Sequence, residues 1–221
     1  MSSNDQSVHL LVPGLLGPIP SLDSFSSLPQ LETLLSRADN ERVSGDDLES
    51  TLFPLFGIDS SPESDLPTAP CRRIGDGCDR DERFYLQANP VFLRPDQDRL
   101  LLFDSEDLDF TKSEAESLAG LFSEHFSAES WRLEIATPHR WYLALDDQPS
   151  LTTASLSRVF GRNIDPLLPQ GRDSMRWHGI MNEVQMLFHG TNLNFERESC
   201  GKLPINGLWF SGGGRFNGNN G

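Results

Sequence analysis

The chain has 221 residues, with 33 acidic against 18 basic side chains and a formal net charge of −15. That length holds one large domain or two small ones, and 37% hydrophobic with 23% charged residues supports a buried core, which excludes wholesale disorder. So acidic a chain lacks the basic face that nucleic-acid phosphates require, and no apolar run reaches the ~18–20 residues of a membrane helix.

In chain order, the run at residues 8–12 reads as a short strand stopped by Pro13-Gly14. It carries no basic flank that would make it a signal peptide. Leu28, Leu31, Leu34 and Leu35 fall on one face of a short helix starting after Ser26-Ser27. Leu48, Leu52 and Leu55 repeat that pattern over residues 46–56, with Ser44 as the expected cap. Residues 1–58 therefore read as a strand-plus-helices element. Residues 59–83, dense in Ser, Pro, Asp and Gly, read as an acidic linker; their carboxylates lack the order of a calcium loop.

Regular structure resumes at Phe84. Apolar runs flank Asn89-Pro90, and another follows Arg94-Pro95-Asp96, which predicts two strands joined by a tight connection. Thr111 and Glu114 form a capping box opening a helix whose Ala115, Leu118, Leu121, Phe122 and Phe126 share a face. Trp131, Leu133 and Ile135 alternate as a strand that returns over residues 141–145. A second helix from about Ser174 turns Ile180, Met181, Val184, Leu187 and Phe188 inward, and residues 205–210 form a last strand. The order over residues 84–210 predicts an α+β domain with an antiparallel sheet and helices on one face. Residues 211–221 are a Gly-rich tail.

The polar residues suggest an anion site. Arg197 offers a five-donor planar fork, Asn194 and Asn206 supply amides, Lys202 adds a point charge, and His139-Arg140 lies between two strands. The competing reading is that Arg197 pairs with one of the many carboxylates. Gly212-Gly213-Gly214-Arg215 resembles a phosphate nest but matches neither a P-loop nor a dinucleotide fingerprint. The five histidines form no ligand pair, and Cys71, Cys78 and Cys200 suit no zinc site, so they read as reduced thiols. No catalytic residue, metal ligand or cofactor site is identified.

Several blocks occur in one order: Leu86-Gln87-Ala88-Asn89-Pro90-Val91, Arg140-Trp141-Tyr142-Leu143, Gly161-Arg162, Leu168-Pro169-Gln170-Gly171, Asn182-Glu183-Val184-Gln185-Met186, Asn194-Phe195-Glu196-Arg197, and Ile205-Asn206-Gly207-Leu208-Trp209-Phe210. Together they resemble the bacterial family labelled the E-type regulatory protein of the Rpf cluster, over most of the chain. More distantly they are similar to the archaeal-type cofactor-independent phosphoglycerate mutases. The resemblance implies an α/β fold: a partial alkaline-phosphatase-like core element over residues 1–58, and an α+β cap-type domain with a mostly antiparallel sheet over residues 84–210. It also implies that Arg140 and Arg197 face a phosphorylated substrate or its relic. The chain departs from the mutases where Val12-Pro13-Gly14-Leu15 stands in place of a metal-binding Asp, and no phosphorylated Ser is identifiable. It also stops at Gly221, before the mutases' remaining ligands. The expectation is a cytoplasmic regulatory protein without mutase activity or cofactor, its partner a small phosphorylated or carboxylated metabolite and its assembly a homodimer. The alternatives are a metal-dependent mutase or phosphatase using Mn or Zn, and a simple anion-binding module.

Overall fold

The run of residues 84–93 contains so little polarity, and so many residues of strand type, that it forms one long strand through Asn89-Pro90. In the computed structural model, which describes residues 8, 10–12, 27–39, 41, 47–59, 61 and 64–216, β1 spans Phe84–Asp96. The other strands are β2 (Arg99–Asp104), β3 (Arg132–Thr137), β4 (Arg140–Leu145) and β5 (Gly207–Gly214). All pairs are antiparallel. β1 pairs with β2 over residues 91–96 and with β4 over residues 84–87, so these two share one edge end to end. β5 lines the other edge over residues 85–91, and β3 extends the sheet beyond β4.

This arrangement explains a proline inside a central strand. The Asn206 N–H bonds the Val91 carbonyl at 3.1 Å, so the backbone groups of Val91 and Asn89 turn toward β5. Pro90 turns the other way, into the gap between β4 and β2, where its missing N–H forfeits no ladder bond.

The sheet's two faces are unlike. On one lie α4 (Lys112–His125) and α6 (Ser174–His189). The predicted capping box at Thr111 and Glu114 is present. Leu86, Ala88, Leu118, Phe122, Val184 and Phe188 are all buried in this core. An aromatic stack runs through it, with Trp131 to Trp177 at 5.7 Å and Trp177 edge-on to Phe210 at 5.0 Å. On the other face, Ala69 packs with Tyr85, Tyr142 and Ala144.

Ala69 belongs to α3 (Thr68–Gly75), which corrects two expectations. The stretch read as linker contains a packed helix, and helices cover both faces rather than one. Pro70 is tolerated because it lies in the first turn, where amides have no intrahelical partner. The helix docks by close approach: a Cβ at Gly212 (φ 65°) would overlap the Thr68 hydroxyl, and one at Gly214 would press on Pro67.

The N-terminal helices form as α1 (Pro29–Arg37) and α2 (Leu48–Leu52), but neither has a buried residue. Leu28, Leu34 and Leu48 stay largely exposed. The expected first strand is absent where the structure describes it. Val8 and residues 10–12 have no strand conformation, and Val8 is 92% exposed, so no sheet neighbour stabilises an extended backbone there. The proposed cap Ser44 lies outside the described residues; Asp47 caps α2, accepting from the Ser50 N–H at 2.9 Å. Two short helices complete the structure, α5 (Leu156–Val159) and α7 (Asn192–Ser199).

Candidate functional site

The structure divides the six residues expected to bind an anion. Arg197 is 3% exposed, and its fork is filled from inside. Nε donates to the Leu203 carbonyl at 2.8 Å, Nη1 to Glu114 Oε1 at 2.7 Å and the Asp109 carbonyl at 3.3 Å, and Nη2 to the Leu108 carbonyl at 2.6 Å. It ties α7 to the start of α4. Asn194 donates to the carbonyls of Phe188 and Ile205, both at 2.8 Å, and accepts from the Ile205 N–H at 2.9 Å. Asn206 pairs with both backbone groups of Leu93, at 2.7 and 2.9 Å, standing in for a strand neighbour. Lys202 reaches Asp109 at 2.6 Å. The first three are buried and bonded within the fold, while Lys202 makes an exposed ion pair.

The glycine nest is also occupied, by the chain's own groups. Asp65 accepts from the Gly213 N–H at 3.1 Å and the Thr153 N–H at 2.7 Å, as well as from the Thr153 hydroxyl. The Gly212 N–H donates to Thr153 Oγ1 at 3.0 Å. The site that resembles a phosphate cradle holds an internal carboxylate. Burial outweighs these hydrogen bonds and raises the Asp65 carboxyl above its ordinary pKa.

His139 and Arg140 do meet at a cavity. A cleft of about 390 Å³ opens on the α3 face of the sheet, within the ~300–1,000 Å³ typical of small-ligand sites. Glu49, Asp104, Glu106, Ser155 and Phe160 join the two on its walls. Arg140 is anchored rather than free: Nε and Nη2 grip Asp76 at 2.9 and 2.8 Å, and Glu106 stands 3.8 Å from Nη1. Burial opposes ionisation of Asp76, but the hydrogen bonds from Arg140 and Tyr142 outweigh it and hold the carboxyl below its ordinary pKa. His139 Nδ1 lies 3.2 Å from Ser105 Oγ.

The floor comes from residues that the sequence reading did not single out. Gln87 Oε1 accepts from Arg72 Nη1 at 3.3 Å while its Nε2 donates to Thr68 Oγ1 at 2.8 Å. Arg72 keeps half its side chain exposed, with Glu49 at 3.9 Å. Beside Gln87 on the same strand face, Asn89 is 2% exposed and lines the cleft, and its amide makes no hydrogen bond to any described residue. The available signal was alternation. Gln87 and Asn89 are two polar residues at i and i+2 in an apolar strand, which places both on one face.

Guanidinium and amide groups arranged this way can orient a carboxylate or phosphate. Among the described residues no group of His, Cys, Asp and Glu is placed to hold a metal ion. None of the described helices is long and apolar enough to cross a membrane.

No family model and no curated protein matches the chain. Among solved structures, the cofactor-independent phosphoglycerate mutase from Thermoplasma acidophilum DSM 1728 is similar, with a TM-score of 0.51 at 20% sequence identity. The match covers 73% of this chain and 45% of the mutase, so the chain spans less than half of that protein's length. The likeness is one of fold: mixed α/β with a mostly antiparallel sheet.

Proposed function

We propose that the chain is a regulatory relative of the cofactor-independent phosphoglycerate mutases, of the Rpf-cluster E type, that binds a small carboxylated or phosphorylated metabolite without turning it over. The observation that carries this reading is Asn89. It is 2% exposed, lines the cleft, and spends neither its amide donors nor its acceptor on a described residue, so both face a ligand in the cleft. The half-exposed Arg72 and the His139-Arg140 turn line the same cleft and supply the rest of a polar ligand site. Two further points support binding over phosphoryl transfer. Pro13 follows the opening apolar run where the mutases carry a metal-binding Asp, and the fork of Arg140 is committed to Asp76.

The test is thermal unfolding of the full chain against a panel of phosphorylated and carboxylated metabolites, alongside conversion of 3-phosphoglycerate to 2-phosphoglycerate with Mn²⁺ present. Ligand at about 100 times Kd adds roughly 2.7 kcal/mol to stability. At least one panel member is expected to give this shift, and Asn89→Ala to abolish it while the ligand-free midpoint stays level. Equal shifts in wild type and Asn89→Ala, or none in either, would defeat the binding site. Sustained mutase turnover would defeat the regulatory reading.

A further inference from the structure

The charges around the cleft narrow the ligand. Two guanidiniums are present, Arg72 and Arg140, against three lining carboxylates, Glu49, Asp104 and Glu106, with Asp76 behind as the partner of Arg140. Counting His139 as a cation still leaves the carboxylates one ahead. A phosphoglycerate carries a phosphate of about −1.5 to −2 besides its carboxylate, and it would enter a site whose own balance is already negative, where like charges repel. An uncharged ligand would use neither the exposed half of Arg72 nor the exposed Glu106 carboxylate. A ligand with one carboxylate and one ammonium satisfies both sides at no net charge.

The hydrogen-bonding capacity agrees. An amide both donates and accepts, so Asn89 offers Nδ2–H to a carboxylate and Oδ1 to an ammonium from one position on the floor. Gln87 already spends its oxygen on Arg72 and one N–H on Thr68, which holds the guanidinium in place. Glu106 has a side chain 57% exposed and only a long contact to Arg140, so it is available to a ligand cation.

Resting on the binding site described above, we propose that the ligand is a zwitterion, an α-amino acid or a metabolite with the same carboxylate-ammonium pair. Its carboxylate meets Arg72 and Asn89 Nδ2, and its ammonium meets Asn89 Oδ1 and the Glu106 wall.

Isothermal titration of the full chain with each common L-α-amino acid, with 3-phosphoglycerate and with inorganic phosphate tests this. At least one amino acid is expected to bind at least tenfold more tightly than either anion, which corresponds to about 1.4 kcal/mol. Glu106→Gln leaves the fold intact because its exposed side chain makes no hydrogen bond to any described residue and only a 3.8 Å contact to Arg140. It should weaken amino-acid binding about threefold, as expected for one partly exposed charge pair, and leave or tighten binding of 3-phosphoglycerate. Preferential binding of 3-phosphoglycerate or phosphate would overturn the zwitterion while sparing the ligand site itself. Binding of none of the probes would overturn both.

Discussion

Replacing Arg197 by Met separates a structural arginine from a ligand-binding one. Met keeps most of the apolar stem, while every donor is removed together with the guanidinium that stands 5.8 Å from the centroid of the Phe110 ring. Four hydrogen bonds disappear, to the carbonyls of Leu108, Asp109 and Leu203 and to Glu114. Bonds to a charged group are worth about 1.5–3 kcal/mol each when buried, and they are not additive here because one guanidinium makes them all. Breaking a buried pair from one side costs about 3–5 kcal/mol. Glu114 softens the loss, since it stays in the capping box and accepts from the Thr111 N–H at 2.7 Å. An overall cost of about 3–5 kcal/mol, hence a fall in Tm of roughly 6–20 °C for a domain of this size, is expected. Urea unfolding followed by circular dichroism and tryptophan fluorescence measures it, and the slope against urea should be unchanged. The ligand response of the folded Arg197→Met protein should match wild type. A stability change within about 0.5 kcal/mol, coupled to loss of ligand response, would refute the structural assignment.

Three other outcomes are expected. Asp76 and Glu114 both have carboxyls held below their ordinary values, where hydrogen bonds from Arg140 and Tyr142, and from Thr111 and Arg197, outweigh burial. A group of this sign stabilises fully above its unfolded pKa of about 4 and loses that contribution as pH falls through its folded value; urea midpoints should therefore drop below about pH 4, and less steeply in Asp76→Asn. Asp65 has the opposite sign, its raised carboxyl favouring the fold as it is protonated, so Asp65→Asn should steepen the acid loss. Gly212→Ala combines a left-handed backbone with overlap on Thr68 and should cost about 2 kcal/mol or more, seen as a lower urea midpoint; an unchanged midpoint would show that α3 does not depend on that approach.

The capping box at Thr111, the inward faces of α4 and α6 and the alternation in β3 were all legible because each is a local pattern that packing then reinforced. The helix α3 was not, because its sequence is too short and polar to show a period. It is held by what lies opposite: Ala69 against Tyr85 and Tyr142, and Thr68 against a glycine more than a hundred residues away. The opening strand failed for the converse reason. Its apolar residues satisfy the local pattern, yet Val8 and Leu10 stay largely exposed and gain nothing from extension.

For the site, the sequence alone determined the inventory: which arginines, amides and carboxylates exist, and that Gln87 and Asn89 share a strand face. Only the tertiary structure decided which of them are already satisfied. Arg197, Asn194 and Asn206 carry the same donors as any ligand-binding residue, and nothing local distinguishes them. What separates them from Asn89 is that backbone groups from elsewhere in the fold bond the first three and, among the described residues, none bonds the side chain of the fourth, since hydrogen-bond partners across the chain are set by where the sheet and helices come together.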